Sequence, residues 1–304
     1  MVTFIIPTYK RKDFLICAVK SIFKQKFKNI EIIIVDDDPL SNLSDFLKKV
    51  TQLYSYSIIY IRNPKNMGPG YCRKRGLEVS KGDYVIFMDD DDFYINKSFL
   101  NNAINIFKLD LNLSFVSYSA NYFYNDTSIS SKPKLFEIEG KVKKNELIKG
   151  LGFKYKKPIS TFTTIFRKKY LINFLEVYDI KVLNDTIIYL ISSLNGDGYF
   201  NNEVIGNYRI HDNNITQNIS FDFVEENMDE KIKILNYVRS NYFLKSYLMA
   251  KHSWISIEYL MENNKKNLIF KILKWTFRQK LFTSAILVYK LIMYSVKKLW
   301  RKWV

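Results

Sequence analysis

The stretch DYVIFMDDDDFY, residues 83 to 94, decides how the rest of this sequence is interpreted. Its apolar part, 84–88, has the composition of a buried β-strand. Four consecutive carboxylates, Asp89 to Asp92, follow directly. Because neighbouring carboxylates repel one another, an opposite charge is expected close by, either basic side chains or a divalent cation. The stretch therefore predicts a strand that ends in an acidic turn whose purpose is not folding.

The sequence before this stretch alternates between strand and helix patterns. Strands are predicted at 2–6, 30–35, 57–61 and 84–88, and helices at 12–25, 42–53 and 71–79. This alternation is typical of an α/β domain with a mainly parallel sheet. Polar clusters follow the four strands in turn: PTYKR, DDDP, NPKNMGPG and DDDD. Since ligands bind beyond the carboxyl ends of parallel strands, the four clusters are predicted to form one site.

The pattern after residue 95 is mixed and then becomes helical. Helices are predicted near 99–107, 145–150 and 185–194, and strands at 113–124, at 161–166 and from residue 203. A polar loop is predicted around 125–134, and nearly all of the chain beyond Phe221 has a helical pattern. We therefore divide the chain into three regions, 1–95, 96–217 and 218–304.

Composition indicates a folded globular protein and excludes several kinds of site. Of 304 residues, 47% are hydrophobic and 25% are charged. The two cysteines, Cys17 and Cys72, fall in predicted helices and are too few for a disulfide framework, so we expect reduced thiols in a cytosolic protein. The first residues lack the pattern of a secretory signal. With only His211 and His252 present, a site built from several imidazoles is excluded.

The net charge of +17 is concentrated in the C-terminal tail. Residues 263–304 contain 11 Lys or Arg and no acidic residue, so the other 262 residues share +6 (17 − 11). This distribution disfavours a nucleic-acid-binding surface over the whole protein. The longest uncharged stretch of the tail, 281–289, is too short to cross a membrane. Its mixture of bulky apolar and basic residues predicts association with an anionic membrane surface; the alternative is a helical cap on the protein's own core.

The first two polar clusters suit a nucleotide base better than a dinucleotide. The turn Pro7-Thr8-Tyr9 contains no glycine, which disfavours the Rossmann type of pyrophosphate site. The turn can still offer a ring face and backbone groups to a planar base. The carboxylates Asp36 to Asp38 can accept hydrogen bonds from a base or a ribose, and their alternative role is to cap a helix or turn.

The acidic turn is predicted to hold a divalent cation together with a nucleotide. Mg²⁺ or Mn²⁺ is commonly bound by one or two carboxylates and by the phosphates of the substrate. The alternative is a solvated acidic turn, but the preceding apolar strand places this turn at the ligand-binding edge of the sheet.

Three segments in this order resemble the family 2 glycosyltransferases, which have a GT-A fold. They are FIIPTYKR (4–11), IEIIIVDDDP (30–39) and NPKNMGPGYCRKRGLEVSKGDYVIFMDDDD (63–92). The resemblance is close over residues 2–95, looser to about 217 and absent from the tail. It implies an inverting enzyme that uses a nucleotide sugar, usually a UDP-sugar, and Mn²⁺ or Mg²⁺.

The resemblance assigns roles to residues of the four clusters. The base would be lined by Pro7, Thr8, Tyr9 and Asp36 or Asp37, with Asn66, Arg73, Asp89 and the variable position Asp90 completing the nucleotide site. Arg73 would neighbour the base or the phosphates, and Asp89 would face the ribose. Asp91 would bind the metal, with Asp92 in support. The sequence departs from the family at Cys72-Arg73-Lys74, where Ala-Arg-Asn is more usual.

Two later segments would supply the remaining groups. The family's Glu-Asp pair, which provides the general base, corresponds to Asn184-Asp185. Asp185 would then be the catalytic base, and its alternative role is a carboxylate favoured at the start of a helix. In NYRIHDNN, Arg209 would steady the leaving diphosphate and His211 would complete the metal ligands, although a lone histidine is often structural.

The sequence is therefore interpreted as that of an inverting, metal-dependent glycosyltransferase. Region 1–95 would bind the UDP-sugar, 96–217 the glycan or lipid-linked acceptor, and 218–304 an anionic membrane, on the inner face of the cytoplasmic membrane. Bacterial members of the family commonly build O-antigen, lipopolysaccharide or capsule, and usage rich in Asn, Lys and Ile suggests an AT-rich genome. A nucleotidyltransferase is disfavoured because the first turn lacks a glycine- and lysine-rich triphosphate loop. A non-catalytic membrane or nucleic-acid adaptor would leave the carboxylates without a purpose.

Overall fold

A computed structural model describes residues 1–53, 57–124, 129–131, 133, 135–150, 157–177, 180–181, 183–211, 220–238, 240–263 and 268–300. The chain forms two compact units, Met1–His211 and Asp212–Val304. The predicted boundaries at 95 and 217 remain functional predictions, and strands on both sides of residue 95 belong to one sheet.

The first unit is an α/β domain built on a single sheet. Its strands are β1 (Val2–Thr8), β2 (Ile30–Asp36), β3 (Ser57–Arg62), β4 (Tyr84–Phe87), β5 (Phe93–Tyr94), β6 (Leu113–Tyr124), β7 (Ile129–Ser131), β8 (Gly140–Val142), β9 (Thr164–Arg167) and β10 (Asp197–Ile210). Its helices are α1 (Lys12–Phe23), α2 (Ser44–Leu53), α3 (Pro69–Val79), α4 (Phe99–Leu109), α5 (Lys144–Gly150), α6 (Lys168–Val177) and α7 (Asp185–Asn195). The strand order is β3-β2-β1-β4-β9-β6-β10-β5, with β7 beside β6 and β8 beside β10.

Four parallel strands, β3, β2, β1 and β4, form the predicted half of the sheet. Every residue of β1 and β2 is buried, as expected for strands covered on both faces. The register pairs Thr8 with Asp36 and Asp36 with Arg62, so the three strands end at the same edge. The Met88 N–H donates to the Ile5 carbonyl at 3.0 Å, which carries the acidic turn to that edge as well. The predicted α/β fold with a mainly parallel sheet is confirmed.

A glycine lets α3 approach this sheet closely. A Cβ atom at Gly76 would lie 2.4 Å from Cγ2 of Ile5 and 3.4 Å from Cγ2 of Val35, closer than a side chain can pack on Ile5. The helix can therefore lie against β1 and β2, and it brings Arg73, one turn before Gly76, to the edge where the strands end.

The strands after residue 95 were predicted less completely than those before it. The predicted strand at 161–166 begins as a 3₁₀ turn, Thr161–Thr163, and β9 starts only at Thr164. This turn forms because Ser160 accepts a hydrogen bond from the Phe162 N–H at 3.5 Å and the Thr163 N–H donates to the Ser160 carbonyl at 3.4 Å. The short strands β5, β7 and β8 and helix α6 were not predicted, and part of the predicted polar loop at 125–134 lies outside the described residues.

The second unit consists of α8 (Phe221–Leu235), α9 (Tyr242–Asn263), α10 (Ile269–Phe277) and α11 (Leu281–Trp300) in the part that the structure describes. These helices share a hydrophobic core in which Trp275 and Leu287 are at most 1% exposed. The core indicates that the basic tail folds with helices that precede it. Among the described residues, no helix has the length and apolar character needed to cross a membrane.

Candidate active site

The acidic turn after β4 is held in place by buried hydrogen bonds. Asp92 is fully buried and its Oδ1 accepts from the Arg209 N–H at 3.1 Å, which joins the turn to β10. Its Oδ2 accepts from Ser160 Oγ at 3.5 Å. Burial, together with Asp91 and Asp89, raises the pKa of Asp92 well above its usual range. These contacts fix the acidic turn on β10, and a supporting role of Asp92 at a metal site remains a prediction.

Asp90 connects the acidic turn to the first strand. Thr8 Oγ1 donates to its Oδ2 at 2.7 Å, and both residues are buried. Burial, followed by repulsion from Asp91, raises the pKa of Asp90 to about 7. The variable position of the motif therefore has a definite structural task in this chain, and the Thr8 hydroxyl points to this carboxylate.

Asp91 lies where several basic or polar groups converge. Its Oδ2 is 2.9 Å from Nη1 of Arg11 and 2.9 Å from Nε2 of His211. The Arg11 Nη1 atom also lies 3.4 Å from Asp90 Oδ1. The opposite charge expected beside four carboxylates is thus present in the protein itself. Arg11 was missed as a site residue although it ends the quoted cluster PTYKR, because only the first three residues of that cluster were assigned.

The Asp91 and His211 atoms fit a divalent cation that is completed by a substrate. Two ligands at about 2.1 Å from an ion and at right angles are about 3 Å apart, which matches the 2.9 Å between Asp91 Oδ2 and His211 Nε2. No group of three or more acidic, histidine or cysteine side chains within the described ranges is placed to hold an ion. The donor set therefore suits an ion that takes its other ligands from phosphates and water.

Arg209 lies against aromatic rings and the backbone of the acidic turn. Its guanidinium carbon is 4.8 Å from the ring centre of Phe14, 5.0 Å from that of Phe93 and 5.1 Å from that of Phe123. Its Nε donates to the Asp91 carbonyl at 2.8 Å, and the residue is 8% exposed. This geometry makes Arg209 a support of the Asp91 backbone; contact with a diphosphate remains a prediction.

Arg73 joins the acidic turn to Asp185, the predicted general base. Its Nη2 donates to Asp89 Oδ1 at 2.5 Å, and its Nη1 is 3.4 Å from Asp185 Oδ1. On the other side of Asp185, Lys157 Nζ lies 3.6 Å from Oδ2. Burial acts to lower the pKa of the Arg73 guanidinium. The neighbouring carboxylates Asp89 and Asp185 have the larger opposite effect, so the pKa is raised. Two carboxylates and two cations therefore alternate across the site.

Asp185 is the first residue of α7, as predicted. Asn184, which stands where the resembled family has Glu, caps the helix by accepting from the Ile187 N–H at 3.0 Å. Burial acts to raise the pKa of Asp185, but Lys157 and Arg73 outweigh it and hold the pKa below its ordinary value. Asp185 is thus ionised at neutral pH. No sequence signal pointed to Lys157.

The residues predicted to line the nucleotide base lie at the carboxyl ends of β1 and β2, at the same edge of the sheet. Asp36 Oδ2 accepts from Tyr60 Oη at 2.9 Å, and burial with this contact raises the pKa of Tyr60 to about 12. Both oxygens of Asp37 accept hydrogen bonds from the following loop, with distances of 2.7 Å from the Gly68 N–H and 2.9 Å from the Met67 N–H. Asp37 therefore shapes the loop that leads into α3.

The remaining residues of the predicted base site differ in accessibility. Tyr9 is 40% exposed, with Lys10 Nζ 5.1 Å from its ring centre, whereas Pro7 is buried in β1 beside Val35. Asn66 is exposed and its Oδ1 accepts from the Gly68 N–H at 3.2 Å. Contact of these residues with a nucleotide remains a prediction.

Comparisons with known proteins point to one family. A sequence model described as "Glycosyl transferase family 2" matches residues 3–174. A UDP-Glc:alpha-D-GlcNAc-diphosphoundecaprenol beta-1,3-glucosyltransferase of Escherichia coli is 33% identical over 136 residues, which are 44% of this chain and 52% of that protein. A GalNAc(5)-diNAcBac-PP-undecaprenol beta-1,3-glucosyltransferase of Campylobacter jejuni is 32% identical over 174 residues, 56% of this chain and 52% of that protein. The chain thus spans about half the length of these two curated relatives.

A solved structure supports the fold. The crystal structure of S. aureus TarS 1-349 in complex with UDP-GlcNAc superposes with a TM-score of 0.66 at 16% sequence identity. The match covers 95% of this chain and 78% of that one. At this identity the likeness concerns the arrangement of the helices and strands.

Proposed function

The chain belongs to glycosyl transferase family 2, and on that basis we propose that it moves a hexosyl or N-acetylhexosaminyl group from a UDP-sugar to an acceptor hydroxyl. The observation that carries the proposal is the double contact of Arg73, at 2.5 Å to Asp89 and 3.4 Å to Asp185. One guanidinium holds the carboxylate assigned to the donor and the carboxylate assigned to the base. A site that must align two substrates needs such a fixed relation.

The proposed reaction is a single displacement with inversion at the anomeric carbon. The acceptor oxygen forms the new bond to that carbon as its proton passes to the Asp185 carboxylate, and the bond to the diphosphate breaks to release UDP. Mn²⁺ or Mg²⁺, when bound, stabilises negative charge on the diphosphate. Asp91 and His211 would hold the ion, while Asp92, Asp90 and Arg209 keep the acidic turn in place through the contacts described above.

A lipid-linked acceptor is the class that the relatives favour. Both curated glucosyltransferases are named for acceptors linked through a diphosphate to undecaprenol. We therefore place this chain in the synthesis of a bacterial surface polysaccharide such as O-antigen, lipopolysaccharide or capsule. The donor named in the E. coli relative, UDP-Glc, is the first to test.

Donor binding gives a direct test of this proposal. In calorimetry with Mn²⁺, the full chain is expected to bind UDP and one or more of UDP-Glc, UDP-GlcNAc, UDP-Gal and UDP-GalNAc. It is expected to bind ADP and GDP at least about tenfold more weakly, a difference of about 1.4 kcal/mol. The sugar preferred in calorimetry should also be the one transferred to an undecaprenyl-diphosphate acceptor. No binding of any uridine nucleotide would contradict the proposal.

The second unit supports peripheral association with an anionic membrane at the cytoplasmic face. Helices α10 and α11 bury one apolar face, including Trp275 and Leu287, and expose further apolar side chains. Among these, Phe270 is 81% exposed, Phe277 68% and Leu281 86%. The segment 263–304 has 11 basic and no acidic residues besides these exposed apolar side chains. Its basic groups suit anionic lipid headgroups, and its apolar groups suit the hydrocarbon beneath them.

We expect the full chain to sediment with vesicles that contain phosphatidylglycerol and much less with pure phosphatidylcholine vesicles. A variant with Phe270→Ser, Phe277→Ser and Leu281→Ser should lose at least about tenfold in partitioning, because it removes apolar area that would enter the interface. A matched control, Leu109→Ser with Leu111→Ser, removes exposed apolar side chains from the first unit and should bind like the wild type. Equal binding by all three proteins would contradict the membrane assignment.

A further inference from the structure

Arg11 forms an ion pair with Asp91, the carboxylate that was assigned to bind the metal. Its Nη1 lies 2.9 Å from Asp91 Oδ2 and 3.4 Å from Asp90 Oδ1. The two carboxylate side chains are 9% and 6% exposed, whereas the side chain of Arg11 is 25% exposed. A partly accessible cation therefore neutralises two buried carboxylates at the entrance of the acidic turn.

The contacted oxygen already has two polar partners. Asp91 Oδ2 is 2.9 Å from both Arg11 Nη1 and His211 Nε2, and a carboxylate oxygen has two lone-pair sites. An ion held between Asp91 Oδ2 and His211 Nε2 takes the place of their direct contact, and its positive charge then repels Arg11, which lies on the same oxygen. Arg11 is the more accessible of the two neighbours, since its side chain is 25% exposed, whereas that of His211 is 9% exposed and packs on Phe14 with ring centres 5.3 Å apart.

The displaced guanidinium has a suitable new partner in a diphosphate. Its planar, forked set of N–H donors matches phosphate oxygens as well as carboxylate oxygens. Arg11 also stands directly before α1 in the turn that follows β1, beside residues assigned to the nucleotide. Its long side chain can change partners without a change in the backbone.

We propose that Arg11 is a resident counter-ion of Asp91 that moves to the diphosphate of the donor when the metal–donor complex binds. This inference rests on the proposed function, since it assigns Arg11 a role in binding a nucleotide diphosphate. It implies that Arg11 competes with a divalent ion in the free protein and assists the ion when UDP is present. A guanidinium that only stabilised the fold would not have opposite effects on the two ligands.

The test measures Mn²⁺ binding by electron paramagnetic resonance and UDP binding by calorimetry on the full chain. Without nucleotide, Arg11→Gln is expected to bind Mn²⁺ at least about fivefold more tightly than the wild type, because a competing charge is removed. With saturating Mn²⁺, the same variant should bind UDP about tenfold more weakly, because a charge-assisted contact is lost. Lys12→Gln is the matched control, since it makes the same charge change at an exposed neighbour, and it should behave like the wild type in both measurements.

Arg11→Lys separates charge from shape and provides a second variant if Arg11→Gln fails to fold. It should keep wild-type Mn²⁺ affinity and lose about threefold in UDP affinity, because an ammonium lacks the planar fork. Unchanged Mn²⁺ affinity in Arg11→Gln, or an equal gain in both Arg11 variants, would overturn the inference. If the wild type binds Mn²⁺ but no uridine nucleotide, the proposed function fails, and the Mn²⁺ measurements still decide whether Arg11 competes with the ion.

Discussion

An Asp91→Asn variant is expected to lose transfer activity by about a thousandfold while keeping its fold. Asparagine has nearly the same shape but no charge, so it can still accept a hydrogen bond at the position of Oδ2. What it loses is the negative charge that Arg11 and His211 share at 2.9 Å and that a divalent ion would need. The loss should appear in the rate of UDP release with acceptor and donor at saturation, and UDP should bind more weakly in the presence of Mn²⁺.

Asp83→Asn is the matched control for this prediction. Asp83 lies eight residues before Asp91 and its substitution makes the same change of charge, but its side chain is 78% exposed and pairs only with the N-terminal amine at 3.1 Å among the contacts of the described chain. Ion pairs this exposed contribute little to stability. The control should therefore keep full activity. If Asp91→Asn also keeps it, Asp91 is not the centre of diphosphate binding.

The strands and the acidic turn could be predicted because each follows from the composition of its own short segment. Five of the seven residues of β2 are apolar, the exceptions being Glu31 and the terminal Asp36, and a strand covered on both faces favours such a run. The 3₁₀ turn at Thr161–Thr163 was mistaken for strand because Thr and Phe favour strands, whereas a hydrogen bond to Ser160 forms the turn. Local composition does not contain that information.

Most candidate residues of the site could be predicted from the sequence, but the contacts between them could not. The motifs nominated Arg73, Asp91 and Asp185 as candidates, since each lies at a fixed place in a segment. The pairing of Arg73 with Asp185, which is 112 residues away, depends on how α3 and α7 pack, and it was not predicted. For the same reason Lys157 was missed, because a lysine becomes part of a site only through a fold that brings it within 3.6 Å of a carboxylate.

An Asp185→Asn variant is expected to lower the turnover rate by a factor of about 10² to 10⁴ and to leave UDP binding within about threefold of the wild type. The amide cannot take a proton from the acceptor hydroxyl. Its carbonyl can still meet Arg73 Nη1, which lies 3.4 Å from the present carboxylate, so the donor side should keep its geometry. Turnover measured with a lipid-linked acceptor, alongside UDP calorimetry, distinguishes this result from a general loss of structure.

The pH dependence gives a second and sharper measurement of the same role. The base acts when ionised, and Lys157 and Arg73 hold the pKa of Asp185 below its ordinary value against the effect of burial. Transfer by the wild type should therefore not fall through protonation of Asp185 until the pH is below the ordinary pKa of an aspartate. Lys157→Gln removes one of the two opposing charges, so the pKa of Asp185 should rise and the acidic limb of the rate profile should move to higher pH.

Lys168→Gln is a suitable control for this measurement, because Lys168 contacts the Ser80 carbonyl and, among the described residues, forms no ion pair with a site carboxylate. It should leave the limb where it is in the wild type. A Lys157→Gln profile that overlays the wild type would show that Asp185 does not limit the reaction at low pH. If the limb moves as expected and is absent from the residual activity of Asp185→Asn, the limb depends on the carboxylate of Asp185.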